Sequence, residues 1–289
     1  MNKIILVHGI NNEGGSERQI VWEWIGALSK RLTPQQFDSI MAMEIVAPYY
    51  GDVLSEITNN TDDNAAQAVA QGNIDAINEE TKFYSDFFKE AFNLPSDEIE
   101  IELNNQSGAV AQAVQHNRNV IAIMRLAERL FPNKVEKLLK YLPQAYAYLK
   151  NPTAATKVDA IVKPYILNEP ALIVSHSLGT IVTFKILRDL TFADNFSYIT
   201  LGSPLGIEAV KKSIRPPFRK PNAINSWFNG ADKDDFVGAG KKLTSCGYQN
   251  LTEESFDIDN GKDDPHSISK YLNSDWVVNH IIQTLKLDD

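Results

Sequence analysis

The stretch Ala171-Leu172-Ile173-Val174-Ser175-His176-Ser177-Leu178-Gly179 joins an apolar run to a helical pattern with almost no connecting chain between them. Ala171 to Val174, rich in β-branched and aliphatic residues, reads as a short buried strand, and Gly179 to Leu190 reads as a helix. Ser177 falls on the corner. A serine on such a corner is held in a strained backbone, and the residues two before and two after it must be small for the helix to pack against its strand. Ser175 and Gly179 meet that need, although the pattern is Ser-x-Ser-x-Gly where a stricter form has Gly-x-Ser-x-Gly. The hydroxyl would stand at the carboxyl edge of a sheet, with the Leu178 amide facing the same space.

Working outward, Ile4-Ile5-Leu6-Val7 is a continuous apolar run of the kind a parallel strand buried on both faces requires. His8-Gly9-Ile10-Asn11 ends it, and Ser16 with Gln19 resembles a capping box opening a helix to about Leu32, with Trp22, Ile25, Leu28 and Leu32 on its apolar face. Met41 to Val46 reads as a second strand. After the Gly179 helix come Ser197 to Leu201 as a strand, Gly202-Ser203-Pro204-Leu205-Gly206 as a turn, and a short helix through Ile214. Ala223 to Phe228 and Ser245 to Gln249 read as the last strands, and Ser274 to Leu287 as a closing helix. Strands alternating with helices predict an α/β fold with a doubly wound, mostly parallel sheet, whose functional groups gather at the strand carboxyl ends.

Residues 1–52 and 151–289 carry this pattern, and residues 53–150 do not. Across the latter, strand signals give way to helical periodicity, which predicts a helical insertion. Thr61 to Glu80 is polar and alanine-rich, Phe83, Phe87, Phe88 and Phe92 form an aromatic stripe, and Asn104 to Gly108 looks like a connector. Gly108 to Phe131 and Val135 to Leu149 follow as amphipathic helices. Two readings of these apolar faces stand side by side: helix-on-helix core packing, or a lid over a substrate acyl chain.

Composition bounds the partners. A formal charge of −9 over 289 residues disfavours nucleic acid and anionic membrane surfaces. No apolar run approaches the roughly 20 residues of a transmembrane segment, and the four apolar residues before His8 fall short of a signal-peptide core, so a cytoplasmic location is expected. Cys246 is the single cysteine, which excludes an intrachain disulfide and a thiolate metal cage. Asp257 to Gly261 lacks calcium-loop spacing and Gly238 to Lys242 lacks phosphate-loop spacing; no metal or organic cofactor is implied.

A serine hydroxyl needs a base to take its proton and a group to orient that base. Of the five histidines, His176 adjoins the corner and points elsewhere, His8 shapes the first loop, and His116 and His280 sit in helices. His266 remains, in the polar loop before the closing helix. The acid belongs to Asp232, Asp234 or Asp235; Asp235 is preferred because Phe236 and Val237 would bury it, with Asp232 next. The amides of Ile10 and Leu178 would serve a developing oxyanion, since Gly9 lets the backbone come close.

In this order, His8-Gly9-Ile10, Ser177 in Ser175-His176-Ser177-Leu178-Gly179, Asp235 before Phe236-Val237, and His266, the chain resembles the α/β-hydrolases, in particular lipase-like and esterase-like bacterial members with a short His-Gly opening. Phe236 stands where such relatives often have proline, and the insertion precedes the nucleophile rather than following the next strand. The resemblance implies a serine hydrolase cleaving small-molecule or lipid esters through a Ser177-His266-Asp235 triad. From another class, the expectation is a binding or regulatory protein whose helical insertion docks a protein partner while the serine site is idle or gated.

Overall fold

The computed structural model describes residues 1–59, 74–105, 115–166, 169–191 and 195–287, with the backbone alone at 74–78, 105, 115–121 and 133. The readings of Thr61 to Glu80, the Asn104–Gly108 connector, the start of the Gly108 helix and the His116 side chain lie wholly or partly outside the described residues. Six strands, β1 (Lys3–Val7), β2 (Glu44–Val46), β3 (Ala171–His176), β4 (Phe196–Leu201), β5 (Ile224–Asp232) and β6 (Glu253–Ile258), form one all-parallel sheet in the order β2-β1-β3-β4-β5-β6.

The continuous apolar runs are explained by cover on both faces. On one face Ile4, Leu6, Leu172, Val174 and Ile199 pack under α1 (Glu17–Leu28) and the C-terminal helix Asp275–Leu285. On the other, Ile5, Val7, Ile173, Tyr198 and Trp227 share one core with Phe184 of the helix Leu178–Arg188 and with Phe87, Phe88, Tyr141, Leu142 and Tyr148 of the helical segment. The Phe83, Phe87, Phe88 and Phe92 stripe is buried in that core. Core packing is therefore the role this stripe fills. Among the described residues no helix is long and apolar enough to cross a membrane.

Several elements differ from the sequence expectation, each for a physical reason. Thr33 and Gln36 form a reciprocal capping box that opens a helix over Pro34–Met41, so β2 begins only at Glu44. In α1, Ser16 accepts from the Gln19 amide, yet the Gln19 side chain bonds Glu23 instead of returning to the cap. The buried face of α1 is Ile20, Trp24, Ile25 and Leu28, while Trp22 is 79% exposed. Ser245 to Gln249 is not a strand; Thr244–Cys246 is a 3-10 turn. The last strand is β6, whose Glu253-Glu254-Ser255 start is polar because it lies at the sheet edge.

The order fixes where a site belongs. From β1 the chain pairs outward to β2 on one side and to β3 on the other, so the direction of winding reverses between β1 and β3. In open parallel sheets the crevice at the carboxyl ends beside such a reversal is the place for ligands. Val7 pairs with Ser175 and His176 with Leu201, which aligns the loops beginning at His8, Ser177 and Gly202 along one edge.

Candidate active site

Ser177 has φ 56° and ψ −128° between β3 and the helix Leu178–Arg188. This left-handed backbone costs a non-glycine residue about 1–3 kcal/mol and persists only where the surroundings fix it. They do so tightly. The Ser177 amide donates to Leu201 O at 3.1 Å, and its carbonyl accepts from the Thr180 amide and hydroxyl. A Cβ on Gly179 would run into the carbonyl oxygens of Val7 and His8, and one on Gly9 would lie 2.7 Å from the Ser177 Cβ. The Ser175 side chain is accommodated because its hydroxyl is 2.9 Å from that of Thr183 in the core.

His266 approaches from the loop between β6 and the short helix Ile268–Leu272. Its Nδ1 lies 3.0 and 2.8 Å from Asp235 Oδ1 and Oδ2, which makes Nδ1 the protonated nitrogen and leaves Nε2 to face the cleft as acceptor. Asp235 is 1% exposed and also accepts from the Val237 amide at 2.9 Å and the Tyr271 hydroxyl at 2.8 Å. Burial by itself would raise its carboxyl; the facing His266 and the hydrogen bonds from His266 and Tyr271 outweigh that and hold it below the ordinary value.

The neighbouring acids do other work. Asp232 Oδ1 accepts from the Asp234 amide and Oδ2 from the Asn260 amide, tying the end of β5 to the His266 loop, and burial raises its carboxyl. The Asp234 carbonyl accepts from Lys134. Of the three, Asp235 is the one bonded to His266.

The remaining histidines near the site support loops. His8 is buried, donates from Nδ1 to Gly9 O at 2.7 Å and accepts the Tyr50 amide at Nε2, and burial lowers its pKa to about 4. It is a neutral brace for the Gly9–Ile10 turn. His176 donates from Nε2 to the His266 carbonyl at 2.9 Å, and its ring packs 4.5 Å from that of His266. Ile10 lines the cleft and Leu178 is the first residue of its helix, where an amide has no intrahelical acceptor.

The helix Pro132–Lys150 of the helical segment roofs this arrangement. Gln144 Oε1 accepts from the Asn11 amide, Lys134 reaches Asp234 O, and Lys137 reaches Asp263 O and Asp264. One helix is thus pinned to the first loop, the acid loop and the base loop. Between them lies a cleft of about 350 Å³ whose lining includes Ile10, Trp24, Tyr141, Ser177, Phe236 and His266, with Glu23, Lys137, Lys140 and Asp264 also bordering it. Three buried polar atoms on residues of that lining have no hydrogen-bond partner: Ser177 Oγ, His266 Nε2 and the Tyr141 hydroxyl. Buried polar groups are nearly always paired, so such a cluster calls for a chemical explanation. Among the described residues no three His, Cys, Asp or Glu side chains are grouped as metal ligands.

Comparison with protein-family models, with curated proteins and with solved structures finds no match for this chain. The geometry therefore stands on its own.

Four contributors escaped the sequence reading. Gly202, at φ +53°, ends β4 and gives way to the Asp235–His266 pair; its signal was a glycine directly after an apolar strand. Tyr271 and His176 act through Asp235 and His266, a relationship that spacing does not reveal. Tyr141 lies within an amphipathic helical pattern, where nothing separates it from core aromatics such as Tyr148.

Proposed function

We propose that this protein is a serine hydrolase of the α/β-hydrolase type that cleaves carboxylic esters, with residues 1–52 and 151–289 as a doubly wound hydrolase core. The observation that carries the reading is the pairing of buried Asp235 with His266, which opens, through an unpaired Nε2, onto the cleft that holds the unpaired hydroxyl of a serine kept at positive φ. Ser177 Oγ attacks the ester carbonyl while His266 Nε2 takes its proton. Asp235 holds the tautomer and stabilises the imidazolium that forms. The amides of Leu178 and Ile10 receive the charge that develops on the carbonyl oxygen. His266 then returns the proton to the departing alkoxide, which leaves as alcohol. Water, deprotonated by His266, attacks the acyl-serine, and as the intermediate collapses His266 returns that proton to the departing Ser177 Oγ, releasing the acid. Oγ and Nε2 are not hydrogen-bonded in the resting chain, a looseness common before substrate arrives.

The cleft favours a short acyl group over a long chain. Its volume is modest, charged side chains border it, and the aromatic stripe of the helical segment is spent in the core rather than along the cleft. The test is fluorophosphonate labelling with peptide mapping, alongside turnover of a short p-nitrophenyl ester. Labelling at Ser177 with turnover, both lost in Ser177→Ala and in His266→Ala, is the expected result. A folded protein that neither labels nor turns over the ester would overturn the hydrolase reading and leave the fold as a binding scaffold.

A further inference from the structure

Tyrosine hydroxyls buried in this protein are consistently paired, with one exception. Tyr50 donates to His8 O, Tyr148 to Asp159 Oδ1 at 2.7 Å, Tyr198 to Thr180 O at 3.0 Å, Tyr248 to Leu205 O at 3.1 Å, and Tyr271 to Asp235 Oδ2 at 2.8 Å. Tyr141 is 2% exposed and its hydroxyl has no partner. Leaving a hydroxyl buried and unpaired destabilises a fold, a cost that phenylalanine at this position would avoid.

The position of the ring explains what the hydroxyl faces. Tyr141 lies one helical turn before Gln144, and residues at that spacing share a face of the helix. Gln144 on that face binds the Asn11 amide, and Tyr141 lines the cleft together with Gly9, Ile10 and Ser177. Its ring packs against that of Phe87, 5.7 Å away between centroids, within the core. The hydroxyl faces the Ser177 hydroxyl in a weak side-chain contact that opposes the effect of burial on the phenol, short of a hydrogen bond of ordinary geometry. Burial drives the phenol well above its ordinary pKa, so it remains a protonated donor throughout the working range.

Resting on the hydrolase reading, we propose that Tyr141 is a third oxyanion donor, a side-chain O–H from the helical segment that acts beside the Ile10 and Leu178 amides. Charge appears on the substrate oxygen only as Oγ adds to the carbonyl, and a fixed donor whose one near neighbour beforehand is the Ser177 hydroxyl, at less than ordinary hydrogen-bond geometry, gives its full hydrogen bond at that moment. Such a bond lowers the barrier without tightening ground-state binding. No proton is transferred; the phenol donates a hydrogen bond to the oxyanion and retains its hydrogen when the intermediate collapses. The segment that looks like an accessory insertion is then part of the catalytic apparatus.

The experiment compares wild type, Tyr141→Phe and Ser177→Ala for turnover of a short ester, for affinity toward a trifluoromethyl ketone that forms a hemiketal oxyanion on a serine, and for thermal stability. Tyr141→Phe is expected to lower kcat about 100-fold with KM nearly unchanged, to weaken the ketone by a similar factor, and to leave the melting temperature equal or higher. A purely structural hydroxyl would lower the melting temperature and spare kcat; that result, with Ser177→Ala inactive, overturns the Tyr141 proposal and leaves the hydrolase intact. A wild type that is folded but inactive and unlabelled overturns both. Should the phenylalanine variant fold poorly, 3-fluorotyrosine at position 141, a stronger donor of nearly the same size, serves as the second variant: an altered kcat supports the proposal, and an unchanged kcat and ketone affinity overturn it.

Discussion

Gly202 lies against His266 so closely that a Cβ at this position would come within 3.0 Å of the imidazole Nδ1 and 2.8 Å of Asp235 Oδ2. The carboxylate cannot retreat, because the Val237 amide and the Tyr271 hydroxyl hold it. The imidazole would have to give, and Gly202 also has φ +53°, where a side chain adds about 1–2 kcal/mol of strain. Gly202→Ala is expected to lower kcat on a short ester by about 10- to 100-fold, as misplacement of a reacting group by a fraction of an ångström to 1 Å does, with a smaller loss of stability. Steady-state kinetics beside thermal melting checks this; full activity would mean that the imidazole tolerates displacement.

Strain at Ser177 gives a separate expectation for stability. Glycine adopts φ 56° freely, whereas serine is held there at a cost of about 1–3 kcal/mol. Glycine also gains freedom in the unfolded chain, which offsets about 0.5–1 kcal/mol of the relief. Ser177→Gly should therefore be inactive yet about 1 kcal/mol more stable, a rise of roughly 2 °C in melting temperature for a chain of this size. Ser177→Ala, equally inactive, retains the strain and should not show the gain. Equal melting temperatures for the two variants would show that the turn is not strained.

Much of the sheet is legible in the sequence because β1 and β3 are buried on both faces and are accordingly apolar over Ile4 to Val7 and Ala171 to Val174. The edge strands are less legible for the complementary reason. β6 borders solvent, so Glu253-Glu254-Ser255 resembles a loop, and β2 is reduced to three residues behind an unanticipated helix. At the site, residues whose backbone must be unusual declare themselves: Ser177 on its corner and Gly9 beside it. The Asp235–His266 pairing depends on two loops 31 positions apart meeting in space. Tyr141 depends on which way one helix face turns, and an amphipathic pattern shows that a face is buried without showing against what.

His8 makes acid stability specific. Its folded pKa of about 4 lies below the unfolded value near 6.5, because burial opposes the charge more than the hydrogen bond to the Gly9 carbonyl favours it. Between those values the unfolded chain binds a proton that the folded chain refuses, so stability falls as pH drops from 6.5 towards 4, by up to about 3 kcal/mol for this group. Above 6.5 both states are neutral and His8 contributes no slope. Urea melts at pH 7.5 and 5 should show the loss in wild type, and His8→Asn should reduce it over that interval, the remainder coming from His176, whose pKa burial also lowers. Parallel slopes for the two proteins would assign the acid limb to other groups.

The helical segment should prove inseparable from the sheet. Phe87, Phe88, Tyr141, Leu142 and Tyr148 are each at most 2% exposed and belong to the same core as Ile5, Val7 and Ile173. Polar ties reinforce it: both Glu90 carboxylate oxygens accept the Glu208 amide at 3.1 Å, and Glu90 pairs with Lys241. Each large apolar side chain contributes about 1.5–3 kcal/mol on burial, so these five together amount to on the order of 10 kcal/mol, comparable with the whole stability of a typical protein. Deleting Asp62 to Leu149 would uncover that face of the sheet and should yield a chain without cooperative unfolding, whereas Glu90→Ala should cost about 1–2 kcal/mol and leave short-ester turnover unchanged. Near-ultraviolet circular dichroism and urea titration distinguish these outcomes. A deleted chain that melts sharply and still labels at Ser177 would show that the sheet stands alone and that Tyr141 is dispensable to the site; loss of tertiary signal would mean that the roof over the cleft is also one wall of the core.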